Sequence, residues 1–208
     1  MNKYMFEALL ESALRTDDDL INITRNSCVD HHTEGLDYLC LLRNERLTVK
    51  LYHIKHEAKN RNGGYLVNPH DHKYAFETIV LYGSVEHVKF DVKPAHTYDI
   101  NNYNLNTYDS ITRTTEGSGK QVILTSKSEL MVKGDSWFVD VHDVHTLKST
   151  GECLLGIVQY HDVKSKSKLY LSDKHSQFIP NRSKPVTIPQ TIKMIEMYKH
   201  MMYKADIY

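Results

Sequence analysis

The 208-residue chain lacks an excess of either charge: Lys+Arg and Asp+Glu number 26 each, for a formal net charge of +0. No bulk field therefore steers it toward nucleic acid or an anionic membrane, and a small molecule is the expected partner. Cysteine is scarce. Cys28, Cys40 and Cys153 match neither a zinc ribbon nor a redox CxxC pair, which points to a reducing compartment. Nowhere is there an apolar run of the about 18 residues that a membrane span needs, and the opening stretch MNKYMFEALLESALRTDDD is broken by Glu7 and Glu11 without a small-residue cleavage site. The expectation is a cytoplasmic protein with no nucleic-acid and no membrane partner.

Against these absences stand 13 histidines and 14 tyrosines, and a hydrophobic content of 40% that suffices for a real core. Imidazole is the commonest metal ligand and phenol hydroxyls commonly line polar pockets. Phe6, Leu9, Leu10 and Leu14 recur at helical spacing and predict a short amphipathic helix, with Asp17, Asp18 and Asp19 as a following turn. From Tyr38 the pattern becomes β: Leu47, Val49 and Leu51 alternate with Thr48, Lys50 and Tyr52, a strand with one buried face. Strand-like pieces follow at 65–69, 77–82 and 85–92, then at 121–125, 129–132, 136–141 and 154–160, the regular spacing of a sandwich or barrel. Residues 93–120 read as a loop or weak edge strands, and 98–108 as a lid over the barrel mouth. KSKSK at 164–168 reads as a solvated loop. Pro180, Pro185 and Pro189 disfavour regular structure, and Ile192, Ile195, Tyr198 and Met202 predict a closing helix.

His70 and His72 stand two apart, so on an extended segment both imidazoles face one side and can share an ion. Glu77 opens a strand on which Ile79 and Leu81 share its face, so its carboxylate points into an apolar interior, a cost that a divalent cation removes. His145 lies far off in GDSWFVDVHDVH.

The spacing G(x)5HxH(x)4E(x)5G made by Gly64, His70, His72, Glu77 and Gly83 resembles the first motif of the cupin superfamily. The second motif, G(x)5PxG(x)2H(x)3N, is matched at Gly134 and His145, with Asp140, His142 and Ser149 replacing its Pro, Gly and Asn. The resemblance implies a mainly β fold, a single cupin jelly-roll barrel (double-stranded β-helix) with flanking N- and C-terminal helices. It divides the chain into a helical segment at 1–37, the barrel at 38–163 and a tail with a helix at 164–208. It also implies a divalent metal held by His70, His72, Glu77 and His145, with Fe(II) favoured and Mn(II), Ni(II) or Zn(II) fitting the same donors. His142, on a bend, competes with His145, and motif alignment favours His145. Asp71 and Asp143 are expected as turn formers or as acceptors that orient an imidazole.

Within the superfamily the HDH segment and its approach through residues 38–54 are similar to the thiol dioxygenases. There three histidines hold iron without a carboxylate, so Glu77 departs from the pattern. Where those enzymes carry a substrate-binding arginine this chain has Cys40, with Arg43 and Arg46 nearby, which does not favour cysteine as substrate. The resemblance implies a non-haem Fe(II) oxygenase or dioxygenase acting on a small polar metabolite and dioxygen, with His161 and Tyr82 as candidate catalytic residues. Gln159 and His161 alternate on one strand face. A redox-neutral isomerase or lyase, or a non-catalytic small-molecule-binding cupin, uses the same ligands. Pairing of sheet edges in a homodimer is a further expectation. Cysteine nucleophilic catalysis is set aside, because Cys28 with His31 and His32 lacks a nucleophile turn.

Overall fold

A computed structural model describes residues 2–60, 64–105, 113–161, 167–172 and 183–204; of 95–105, 113–121, 171 and 172 it describes the backbone only. The chain starts with two helices, α1 (Lys3–Ser12) and α2 (Asp17–Arg25). The acidic run is therefore not a plain turn. Thr16 caps α2 by accepting from the Asp19 N–H, and Asp17, Asp18 and Asp19 form its first turn, where negative charge complements the helix dipole.

Among the described residues nine strands follow, β1 (Cys28–Val29), β2 (Leu36–Arg43), β3 (Leu47–Ile54), β4 (Phe76–Leu105), β5 (Arg113–Val132), β6 (Ser136–Val139), β7 (Val144–Tyr160), β8 (Ser167–Ser172) and β9 (Lys184–Pro185), and then α3 (Ile188–Lys204). All pairings are antiparallel, in the order β5-β4-β7-β3-β2-β1-β9, with β6 and β8 also on β4. The fold is thus the predicted mainly β architecture with flanking helices. The sheet is rolled: Leu36 of β2, Ile54 of β3, Val80 and Val85 of β4, Met131 of β5 and Leu155 of β7 belong to one buried cluster, although β2 and β5 lie strands apart.

Alternation sorts the strands into two faces. Leu39, Leu41, Val49, Leu51, Ile79, Leu81, Leu154 and Val158 meet Phe6 and Leu10 of α1 and Ile195, Tyr198 and Met202 of α3 on the outer face. The other face, with Val80, Leu155, Tyr52 and Trp137, is the barrel interior. Both faces of β3 are accordingly covered, and the polar set Thr48, Lys50 and Tyr52 turns inward instead of toward solvent. The closing helix is as predicted. Pro189 sits in its first turn, where a missing N–H costs nothing, and Gln190 reaches back to accept from the Thr187 N–H in a capping box.

Some segments differ from the sequence reading. Residues 65–69 form no strand, being bends tied to their neighbours by single hydrogen bonds. Within the proposed lid, residues 98–105 are part of β4 and pair with β8 and β5; 106–108 lie outside the described residues. Ser167 and Lys168 of the KSKSK run begin β8, and 164–166 likewise lie outside the described residues. No helix of the described residues is long and apolar enough to cross a membrane.

Two glycines are required by close approach. At Gly83, with φ +72, an added Cβ would stand 2.1 Å from the Glu152 carbonyl oxygen, and at Gly156 one would stand 2.5 Å from the Phe6 ring. Gly83→Ala combines left-handed strain with a backbone clash, so a loss of about 2 kcal/mol or more is expected in denaturant unfolding. Gly156→Ala meets a fully buried ring that α1 holds in place, and should cost ~1–3 kcal/mol in the same measurement.

Candidate metal centre

The segment that carries His70 and His72 is irregular, yet it is pinned along its length. Leu66 N–H donates to the Leu147 carbonyl, the Thr146 hydroxyl to the Val67 carbonyl, and Tyr170 N–H to the Pro69 carbonyl. His70 and His145 exchange both backbone hydrogen bonds, at 3.1 and 3.0 Å. Residues paired in this way present their side chains on the same face. Asp71, buried, accepts from the Lys168 N–H of β8.

This pinning brings three imidazoles together. The ligand atoms of His70, His72 and His145 all lie within 4.8 Å of one another, a group that could hold a metal ion. His72 Nε2 and His145 Nε2 stand 2.7 Å apart. Two nitrogens at about 2.1 Å from one ion and at right angles would be about 3.0 Å apart, so the pair needs little adjustment to share a cation. His70 Nδ1–H donates to the Asn68 carbonyl at 2.8 Å, which fixes the tautomer and leaves Nε2 with its lone pair. Burial drives all three pKa values below the ordinary histidine range, those of His72 and His145 well below it, with the neighbouring imidazoles adding to the effect there. Neutral imidazole is the ligating form. The donor set therefore fits a divalent cation.

A fourth histidine stands behind the group. His87 Nε2 and His145 Nδ1 share a hydrogen bond at 3.1 Å, and the His87 ring stacks on Trp137 at 4.8 Å between centroids. Burial, with Lys89 contributing, pushes His87 down to about 4. Sequence reasoning missed this residue, although alternation with the buried Val85 was a readable signal. It missed Lys50 as well, for its strand position was taken as a solvated face. Lys50 Nζ donates to Gln159 Oε1 at 2.6 Å and lies 5.2 Å from the Tyr52 ring centroid and 5.5 Å from that of Tyr38. Burial lowers its pKa to about 8, and its charge is among the influences that lower His72.

The remaining expected residues are placed elsewhere. Glu77 is not brought into the histidine group. It does share a face with Ile79 and Leu81, but that face is the one the helices cover. Phe76, its neighbour, instead turns its ring to His72 at 4.7 Å and to His145 at 5.6 Å. The Tyr160 hydroxyl donates to Glu77 Oε1 at 3.1 Å. Tyr82 packs against the same helix-side cluster, since a register irregularity between Val80 and Tyr82 turns it outward. His161 follows Gln159 at the end of β7. Its Nδ1–H donates to the Glu45 carbonyl at 3.2 Å, so Nε2 accepts from the Thr48 hydroxyl at 2.9 Å. His142 is exposed in a turn that Asp143 builds by accepting from the Asp140 N–H.

What the fold and site define is a mainly antiparallel β barrel with a three-histidine cluster at its interior face, His145 buried and His70 and His72 half-buried. No protein-family model matches the chain, and no curated protein sequence does. Solved structures similar to it include cupin superfamily proteins. An RmlC-like cupin from Shewanella frigidimarina is 17% identical, with 61% of this chain and 76% of that one covered and a TM-score of 0.35. Hydroxypropylphosphonic acid epoxidase from S. wedmorenis is 17% identical over 64% of this chain, with a TM-score of 0.39, and the match spans 55% of that protein's length. Streptomyces albus HEPD, solved with 2-hydroxyethylphosphonate and Fe(II), is 10% identical over 61% of this chain and 21% of its own, with a TM-score of 0.38. Likenesses of this extent say nothing of activity in this chain.

Replacing His70, His72 or His145 by Ala should each lower the affinity for Co(II) or Zn(II) by about 100-fold or more in calorimetric titration, whereas Glu77→Ala should leave stoichiometry and affinity unchanged. His87→Ala should weaken binding by about 10–100-fold through loss of the bond that orients His145. The metal-free protein should also be acid-sensitive in a defined window. Imidazoles in the unfolded chain take up protons near 6.5 while the buried ones stay neutral, so the unfolded state binds more protons below that value. The contribution of His87 is complete above about pH 6.5 and is lost as the pH falls toward about 4. Tm read across pH 8 to 4.5 should be flat and then decline, less steeply in His87→Gln.

Proposed function

We propose that the chain is a cupin-type metal enzyme in which His70, His72 and His145 hold a divalent cation, Fe(II) by preference, and that it oxidises a small polar metabolite as an oxygenase or dioxygenase. The observation that carries this reading is the convergence of three imidazoles from two distant segments, with their proton affinities lowered by burial. Such an ion supplies a Lewis-acidic centre with open positions and, as Fe(II), electrons for reaction with dioxygen.

The chain's own residues do the rest. Asn68 and His87 hold His70 and His145 in orientation. Phe76, packed with Ile157, Val139 and Trp137, turns an apolar ring face to His72 and His145. Polar contact with a substrate falls to Lys50, Gln159 and Tyr52 on the same interior face. His161 enters as the residue that ties the end of β7 to β3, since both its ring nitrogens are bound.

A redox-neutral isomerase or lyase is the second reading. It is favoured by the Lys50 ammonium, whose pKa of about 8 suits proton transfer near neutral pH. Metal analysis of protein purified without added metal, followed by reconstitution with Fe(II), Mn(II), Ni(II) or Zn(II), separates the two. The oxygenase is expected to take up dioxygen only with Fe(II) and a substrate, and to lose this uptake in His145→Ala. Turnover without dioxygen in the Zn(II) or Mn(II) form would replace it by the second reading.

A further inference from the structure

Lys50 is a cation turned into the barrel interior without an acid to meet it. Among the described residues its ammonium contacts are the Gln159 side-chain carbonyl and the faces of Tyr38 and Tyr52. Two carboxylates carried by the elements around the histidines are otherwise engaged: Glu77 on the opposite face of β4 with Tyr160, and Asp71 with the Lys168 N–H. A second positive charge comes to the same corner, where Arg43 Nη2 donates to the Tyr38 hydroxyl at 2.8 Å. Three neutral imidazoles leave a bound divalent ion its full charge. Metal and lysine together would then place about three positive charges around one interior, and charge so buried calls for a counter-ion.

We propose that Lys50, with the Gln159 amide and the rings of Tyr38 and Tyr52 as its walls, is an anion-binding subsite beside the three histidines, so that the substrate carries a carboxylate- or phosphate-type group. This deepens the metal reading of the same site and rests on it for the location of the reacting end. Strand register supports the placement. Lys50 of β3 lies opposite Ile157 of β7, and Gln159 opposite Phe76 of β4, whose ring touches His72. One anionic group on Lys50 would thus leave the remainder of a small molecule directed at the histidines. The aromatic faces hold the ammonium in position by cation–π attraction when no anion is present.

The test uses the full chain loaded with Co(II), with acetate and inorganic phosphate as probes and neutral acetamide as control, read by the visible Co(II) spectrum and by calorimetry. The parent should bind at least one of the anions and bind acetamide about tenfold less tightly or worse; the tighter anion tells a carboxylate from a phosphate-type group. Lys50→Gln should weaken anion binding by about tenfold or more and Lys50→Arg only a few-fold, both with unchanged Co(II) affinity. Should Lys50→Gln fail to fold, Gln159→Ala serves in its place, and it should weaken the anion because it releases the ammonium. Anion affinity unaltered in the variant that folds, or acetamide bound as tightly as acetate, overturns the subsite. Failure of the metal reading looks different: the parent takes up no Co(II), while anion binding to the metal-free protein still falls in Lys50→Gln.

Discussion

Everything at the site hangs on one reciprocal backbone bridge. His70 and His145, 75 positions apart in the sequence, exchange N–H and carbonyl, and that pairing obliges their side chains to share a face. Because His72 lies two residues further on, its ring reaches the same side, and the three imidazoles come together. The cost of desolvating them is met by keeping them uncharged, since each loses its affinity for protons on burial. Imidazoles whose proton affinity is lowered by burial and whose ring nitrogens face one another have the donor form that a divalent cation requires.

The wider fold serves that bridge. β4 and β7 pair from Phe76 opposite Gln159 to Phe90 opposite Val144, and so carry Phe76, His87, His145 and Gln159 on one two-stranded ribbon. One face of the ribbon is sealed by α1 and α3, which lets the other be given over to polar groups. Lys50, Gln159, His87 and the three histidines all project to that inner face, among apolar neighbours that raise the strength of every electrostatic interaction made there. The helix layer thereby frees the barrel interior for chemistry.

Much of this was legible beforehand. The β-type alternation and the closing helix at Ile192, Ile195, Tyr198 and Met202 could be read from local periodicity, and the three histidines from two separated motifs whose order and spacing the sequence displays. Glu77 shows where that kind of reading ends. Its alternation with Ile79 and Leu81 was right, but periodicity of two separates the faces of a strand without saying which is inside. With both faces covered, one by helices and one by the barrel, apolar neighbours pointed equally well to either. Tyr82 turned outward for a related reason, as the irregularity after Val80 shifts the phase of the strand.

By itself, then, the sequence determined the element types, the candidate histidine group and the neutral overall charge, for these follow from residue identity, local periodicity and motif spacing. Only the tertiary structure decided which side of β4 became the interior, that His87 backs His145, and that Lys50 faces the barrel interior with no acid beside it among the described residues. Those are relations between strands that meet through the rolling of the sheet, and no spacing along a single chain encodes the direction of that roll.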